Sequence, residues 1–499
     1  MFHRVLIVVS AQLLMIFATQ AMAAQTAVEK VDKGNLIESL NAHDTVRGSE
    51  DSKAWTGLFD AYLQLSKPPV PVGRQFNLKT IWPGMKGWDK VSAWAAANPD
   101  MAKAINDASK KIIIGLPYGT DMVPATYSGM QLHVEVEIKD GKRTLEFGYF
   151  DAVEAIEAYA TAEIYRLFET GDVDGALELM TANNYVLRMF CDRQFLKEKT
   201  HFIALLDQML SNMRDCFWRY MEQIKPEQFR KIAMDELPYL RPDRARLLIP
   251  EGDRILAEAL ITEVFDSKTG DPKQGQFTKM FTRIQSEDEP LTRLGAAKRW
   301  REISARHGGL EGSQERLTLI YDDWWRRWRL RDHGELLTVE SEFDRANEMR
   351  YAGVLISIDD IKALFSVRNN LRVAVYGTAM SAGLCGFKVD TGYYPNSVDN
   401  RVSGLYGTYV RRNIDKDPYH YNEYLFDLDT FRYRLLDKRT ALDIGVDRIW
   451  LKAGTGLLYS IGEDMEDGVG QMHAEDDSEA DIIIWPPVKS MLREESNRN

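Results

Sequence analysis

The chain has 499 residues, 44% of them hydrophobic, and its 63 Lys and Arg face 75 Asp and Glu for a formal net charge of −12. That hydrophobic share can build a sizeable core, which excludes wholesale disorder, and the charged fraction of 28% excludes a polytopic membrane protein. An acidic surface repels phosphate, so a generally basic nucleic-acid binder is excluded, and at about 150 residues per domain the length implies about three domains.

Residues 1–23 read as a signal peptide. His3 and Arg4 make a polar, positive start, Val5 to Phe17 are mostly apolar apart from Ser10 and Gln12, and Ala21-Met22-Ala23 fits the small-x-small pattern of signal peptidase. The apolar run is about 13 residues, short of the about 20 needed to span a bilayer. No later stretch approaches that length. The mature chain is therefore expected to be exported, periplasmic or cell-surface associated, with no transmembrane segment. Cys191, Cys216 and Cys385 are too few for a disulfide scaffold. Cys191 and Cys216 fall on neighbouring helical patterns, so they either pair or sit as small buried residues, and no spacing suggests zinc.

Residues 24–70 form a flexible lead in which Trp55 to Leu65 has helical spacing, ended by Pro68, Pro69 and Pro71. Residues 71–350 are expected to form a mainly helical domain. Asp89 to Ser109 is helical, broken or restarted at Asn98-Pro99. Gln131 to Ile138 alternates, Asp140-Gly141 follows, and Arg143 to Phe150 completes a β-hairpin near 131–150, unless Leu145 to Tyr149 already opens the next helix. Asp151 can cap Ala152 to Glu169, which ends at Gly171-Asp172. Helices are then expected from Asp174 through Leu187, over Lys197 to Ile224, Pro226 to Met234, Pro242 to Leu248, Gly252 to Asp266, Pro290 to His307 and Gly312 to Leu330, and again over Leu336 to Arg350. Ser267 to Gly275 is a polar loop. Residues 351–490 make an α+β domain, one helix from Ser357 to about Phe387 followed by short strands. The fold class is mainly α: an irregular helical region carrying the hairpin, plus a small C-terminal α+β domain.

Three features stand in order in that last segment. An apolar helix runs into Lys388-Val389-Asp390-Thr391-Gly392-Tyr393-Tyr394-Pro395-Asn396-Ser397. Asp417-Pro418-Tyr419 follows, with Tyr421 and a strand-like Thr430 to Leu436. Gly456 to Asp464 (GLLYSIGED) and Asp481 to Pro486 (DIIIWP) close the set. Their order resembles the globular head of type II secretion major pseudopilins, in which a helix leads to a "G-x-Y-P" turn, a "D-P-(W/Y)" segment and a "Y-S-x-G-x-D" loop ending in "D-I". The likeness covers residues 359–487. The whole arrangement also resembles large uncharacterised exported proteins of planctomycete-type bacteria. Pseudopilins assemble through a long N-terminal apolar helix behind a prepilin peptidase site. This chain has an ordinary signal peptide there, so polymerisation is not expected.

Glu463 to Asp481 contains Glu463, Asp464, Glu466, Asp467, Glu475, Asp476, Asp477, Glu479 and Asp481, and no Lys or Arg. Crowded carboxylates repel unless solvated or neutralised by a cation, and calcium takes six to eight oxygens in flexible geometry. The loop is either a solvated acidic loop or a Ca2+ site. The spacing is not that of an EF-hand. The pseudopilin resemblance implies calcium, with Asp464 and Asp481 as metal ligands and Asp467 and Ser460 behind them.

Tyr321 to Arg331 (YDDWWRRWRLR) reads as a tryptophan-anchored core helix with snorkelling arginines rather than a single-strand or membrane binder. No histidine spacing fits zinc. His420 reads as a loop residue, Gly115 to Gly119 as a turn, and Glu154 with Glu157 as a solvent-facing pair. No catalytic motif is complete. The expected function is an exported non-enzymatic structural or interaction protein with a calcium-stabilised C-terminal loop, acting on a protein partner and not on nucleic acid. The alternatives are an exported hydrolase with a fold-assembled carboxylate site and a type II secretion accessory protein.

Overall fold

The computed structural model describes residues 36–69, 80–242, 247–288, 293–330, 335–398, 404–471 apart from 406, 413, 423, 425–426 and 445–446, and 481–496. The signal peptide, residues 243–246 of the helix expected over Pro242 to Leu248, and Glu475, Asp476, Asp477 and Glu479 lie outside the described residues.

Local signals place the longer helices. Helix α1 (Trp55–Gln64) stops before the proline run. The Asn98-Pro99 step yields α2 (Trp88–Ala96) and α3 (Pro99–Ala108), with Pro99 in the first turn, where no intrahelical partner awaits its missing N–H. Strands β1 (Val134–Lys139) and β2 (Lys142–Phe147) pair antiparallel, with Lys139 opposite Lys142. Asp140 and Gly141 turn the chain at φ of 50° and 68°, the positive values a two-residue hairpin loop needs. Helix α4 (Phe150–Thr170) starts directly after the hairpin and ends at Gly171, φ 83°. Asp172 then caps α5 (Val173–Phe190), its carboxylate accepting from the Gly175 N–H at 3.0 Å. Next come α6 (Leu196–Arg219), α7 (Glu251–Val264), α8 (Gln274–Asp288), α9 (Arg293–Ser304), α10 (Gly309–Arg329) and α11 (Lys362–Thr391). Helices α4, α5 and α6 pack side by side, and α11 lies against α6.

The chain then changes to short strands: β3 (Lys416–Asn422), β4 (Asp427–Thr430), β5 (Arg432–Leu435), β6 (Thr440–Ile444), β7 (Asp447–Leu451), β8 (Gly456–Ser460) and β9 (Ile482–Trp485). They form two antiparallel hairpins, β3-β4 and β6-β7, and a three-stranded antiparallel sheet ordered β5-β8-β9. Every residue of β8, the central strand, is buried. A last helix, α12 (Val488–Ser496), returns to α6. One apolar core runs from Leu40 to Trp485, and a smaller cluster gathers Leu436, Leu442, Ile449, Leu451 and Met491. No described helix is long and apolar enough to cross a membrane.

Several expectations are corrected. Leu336 to Arg350 is not an α-helix: a 3-10 turn at Glu335–Thr338 is followed by turns. Arg327 donates to the Val339 and Glu340 carbonyls, Asp323 accepts from the Glu342 N–H, and Ser341 and Asp344 bond reciprocally, so side chains capture the backbone groups a helix would use. Helix α8 adds to the expected set, and its Phe277, Met280, Phe281 and Ile284 have helical spacing and are all buried. His420 sits in β3 rather than a loop, its Nδ1 3.1 Å from the Thr430 carbonyl oxygen. The cysteines are free and buried, with Cys191 unpaired to Cys216. Glu157 is fully buried, not solvent-facing, because α4 is enclosed by helices on several sides. Its carboxylate accepts from Asn183 Nδ2 at 2.7 Å, and burial pushes its pKa up to about 8.

The helical region is held at one buried carboxylate. Glu198 Oε1 accepts from Arg193 Nε at 2.9 Å and from the Tyr149 hydroxyl at 2.6 Å. Its Oε2 accepts from the Tyr118 hydroxyl at 2.8 Å and from the Phe195 N–H at 3.2 Å. Arg193 also donates to the Leu116 carbonyl and lies 4.1 Å from the Tyr118 ring centroid. Burial holds the Tyr118 and Tyr149 hydroxyls far above their ordinary pKa, so both stay donors. Breaking a buried ion pair from one side leaves an uncompensated charge. Glu198→Gln is expected to destabilise the fold by roughly 3–5 kcal/mol in urea unfolding. Adding Arg193→Met should recover part of that loss; full additivity of the two variants would contradict the pairing.

Candidate functional site

The segments that carry the C-terminal sequence pattern converge in space. Asp417, from Asp417-Pro418-Tyr419, is fully buried beneath Ser460 and Ile461. Its Oδ1 accepts from the Ser460 hydroxyl at 2.8 Å and the Tyr419 N–H at 3.0 Å, and its Oδ2 from the Ile461 N–H at 3.1 Å. Burial raises its pKa against these donors. Elsewhere on the sheet, Trp485 Nε1 donates to the Tyr394 hydroxyl at 3.1 Å, and the Tyr433 hydroxyl donates to the Pro395 carbonyl at 2.7 Å. Tyr394 and Pro395 are thus bound to the sheet edge strands, and Asp417 to the start of the loop after β8.

That loop, Ile461 to Gln471, is pinned by carboxylates. Asp464 is exposed and turns back to accept from the Glu466 N–H at 3.0 Å. Asp467 Oδ1 accepts from the Tyr459 hydroxyl at 2.8 Å and the Val469 N–H at 3.0 Å, while its Oδ2 lies 3.0 Å from Arg432 Nε. Glu463 accepts from the Ser366 hydroxyl at 2.5 Å, which ties the loop to α11. Asp481, just before β9, is 2% exposed; its Oδ2 accepts from the Gly470 N–H at 2.6 Å, and its Oδ1 has no hydrogen-bond partner among the described residues. Gly468 lies so close that a Cβ there would stand 2.9 Å from Asp481 Oδ2. Burial pushes the Asp481 carboxyl up to about 6, opposed by the N–H groups of Gly470, Gly468 and Gln471 and reinforced by Asp467.

The four sequence candidates are therefore close along one loop but differently engaged. Ser460 is committed to Asp417, Asp467 to Tyr459 and Arg432, and Asp464 to its own turn. Only Asp481 among the four keeps a buried oxygen without a described partner. Among the described residues no three His, Cys, Asp or Glu side chains group to hold a metal. Calcium seeks six to eight oxygens, so the described donors alone do not fit such a centre. The sequence picked out Asp417 as part of the ordered C-terminal pattern but not as a buried acceptor, because its donors Ser460 and Ile461 lie 43 and 44 residues away and reach it only through the fold.

The Trp/Arg run on α10 is part of the core. Trp324 and Trp328 are buried, Trp328 Nε1 donates to the Leu247 carbonyl at 2.7 Å, and Arg327 pairs with Asp323 at 2.8 Å. At helix α12, Asp215 accepts from the hydroxyls of Tyr165 and Ser490 and from Arg493 Nη1 at 2.6 Å, and Lys489 donates to Asn212. These polar groups fasten the C-terminal helix to α4 and α6.

No family model matches the chain, and neither a curated protein nor a solved structure matches it.

The Asp481 carboxyl binds its proton more tightly folded than unfolded, where its ordinary pKa is 3.8. Its contribution to stability is therefore full below that value, declines as pH rises to about 6 and is level beyond. Asp481→Asn should remove that decline relative to the parent chain in urea unfolding at pH 4, 5 and 7. An unchanged difference between the two chains across this range would refute the assignment.

Proposed function

We propose that the protein is an exported, non-enzymatic interaction protein whose loop from Ile461 to Gln471 is a contact element for a protein partner. One observation carries the reading. Met465 and Val469 are 53% and 45% exposed and hold φ of 59° and 63°. A β-branched residue in the left-handed region is a true outlier, costing roughly 1–2 kcal/mol. Strain of this kind persists only where the surroundings over-determine it, and it clusters at functional sites. Here the surroundings are Asp467, Asp481, Glu463 and Tyr459, which clamp the loop while its apolar side chains stay exposed. The strongly shifted carboxylates elsewhere are committed to the fold. Glu157 bonds Asn183, and Asp253, pushed by burial up to about 7, accepts from the Leu196 N–H at 2.7 Å.

Val469→Gly relieves the backbone strain and removes an exposed apolar side chain. It is expected to stabilise the protein by about 1 kcal/mol while weakening contact with the partner. A photo-crosslinking side chain at position 465, in cells exporting the protein, should give a discrete adduct that is absent when the same group replaces exposed Leu319 on α10 and diminished by Val469→Gly. Identical adducts at both positions, or none at 465, would sink the reading.

Calcium enters the proposal through Asp481 Oδ1, which has no hydrogen-bond partner among the described residues; backbone carbonyls and solvent would have to supply the oxygens that the described carboxylates do not. An ion there would favour the ionised carboxylate and stabilise the folded chain by mass action. Millimolar calcium should raise the melting temperature above that in chelator, and Asp481→Asn should abolish the difference. Equal melts of the parent chain in calcium and chelator would exclude the ion.

A further inference from the structure

A groove of about 540 Å³ opens between the end of α6, the end of α11 and the β6-β7 hairpin. Its charged lining is of one sign: Lys388 from α11, Arg439 just before β6, and Lys452 just after β7, with no Asp or Glu among the described lining residues. None of the three has a carboxylate within 4.0 Å among the described residues, in a chain whose net charge is −12. Instead two of them lie on aromatic rings. Lys388 Nζ is 4.5 Å from the Tyr394 ring centroid, and the Arg439 guanidinium is 4.5 Å from that of Trp450. An attraction of this kind at an exposed site is weak, so it positions the cations without neutralising them.

The floor is packed and the rim is open. Tyr394 is 2% exposed and bonded to Trp485, which packs edge-on to Trp218 at 5.5 Å between centroids. Trp450, at the rim, is 43% exposed although it belongs to a strand, and Arg439 and Lys452 are exposed beside it. The groove is thus lined by the aromatic side chains of Trp218, Tyr394 and Trp450 and by three cationic donors, with no Asp or Glu among its described lining residues. Its size falls within the range of sites for small organic ligands.

We propose that this groove binds a ring-bearing oxyanion, a carboxylate or phosphate attached to a sugar or aromatic ring. Lys388, Arg439 and Lys452 hold the oxyanion, and Trp450 stacks on the ring. The shared chemistry has two sources, an acidic oligosaccharide and a nucleotide, and the size admits either. The groove shares no lining residue with the strained loop, so it stands or falls independently of the proposed partner contact.

Calorimetry and tryptophan fluorescence on the full chain, with trigalacturonate, AMP, neutral maltotriose and inorganic phosphate as probes, test it. Trigalacturonate or AMP should bind saturably, at least about tenfold tighter than maltotriose and inorganic phosphate, and more weakly as salt rises. The tighter of the two identifies the source. Lys388→Gln with Arg439→Gln should weaken that binding at least about tenfold while melting with the parent, because a rim charge contributes to binding and not to the core. Trp450→Ala should weaken the ring-bearing probe and leave inorganic phosphate unchanged. Saturation by neither ring-bearing probe, equal affinity for inorganic phosphate, or binding indifferent to both salt and the double charge variant would overturn the proposal.

Discussion

The buried carboxylate of Glu198 is the constraint on which the helical region depends. It accepts from Arg193, Tyr149, Tyr118 and the Phe195 N–H, groups contributed by the segment after α3, the start of α4 and the link into α6. The neighbouring Gln194 extends the same junction, donating to the Leu40 carbonyl and accepting at its own carbonyl from the Gly252 N–H. A carboxylate taken out of water needs nearly all its lone pairs occupied to offset desolvation, and here they are. The geometry of the links is thereby specified in a way that apolar packing, which lacks direction, does not supply.

The same device recurs at the C-terminal helix and within the strand region. Asp215 gathers Tyr165, Ser490 and Arg493, and Asp417 gathers Tyr419, Ser460 and Ile461. Helix α11 serves both regions, packing on α6 and on β8 and β9. The strands therefore rest on a fixed support. Both surface features with functional potential, the loop at Val469 and the groove at Trp450, lie on this supported part.

The two features also follow opposite electrostatic rules. Around the loop, carboxylates are close together and are quieted by backbone N–H groups, Tyr459 and Arg432. Around the groove the charged lining residues are all cations, and aromatic faces stand against two of them. The net charge describes neither place.

Much of the secondary structure was legible because its causes are local. Asp140-Gly141 tolerates positive φ, Pro99 cannot continue a helix ladder, and Gly171 accepts the left-handed end of α4; each acts through sterics within a few residues. The helix over Gln274–Asp288 was not read from the sequence, although Phe277, Met280, Phe281 and Ile284 carry its helical spacing. What no local reading reaches is the environment of a charge. Glu154 and Glu157 look alike on a helical wheel, yet Glu157 is buried because neighbouring helices close over that face of α4. Leu336 to Arg350 has helical composition, yet Arg327 and Asp323 of α10 capture its backbone. The sequence by itself determined the mainly helical class, the hairpin and the order of the C-terminal segments. Only the tertiary structure decided that Asp417 and Ser460 meet, that Asp481 keeps an oxygen without a partner among the described residues and that Lys388, Arg439 and Lys452 share one groove. Desolvation and hydrogen-bond saturation depend on what every other part of the chain brings to a point, and that is a property of the whole fold.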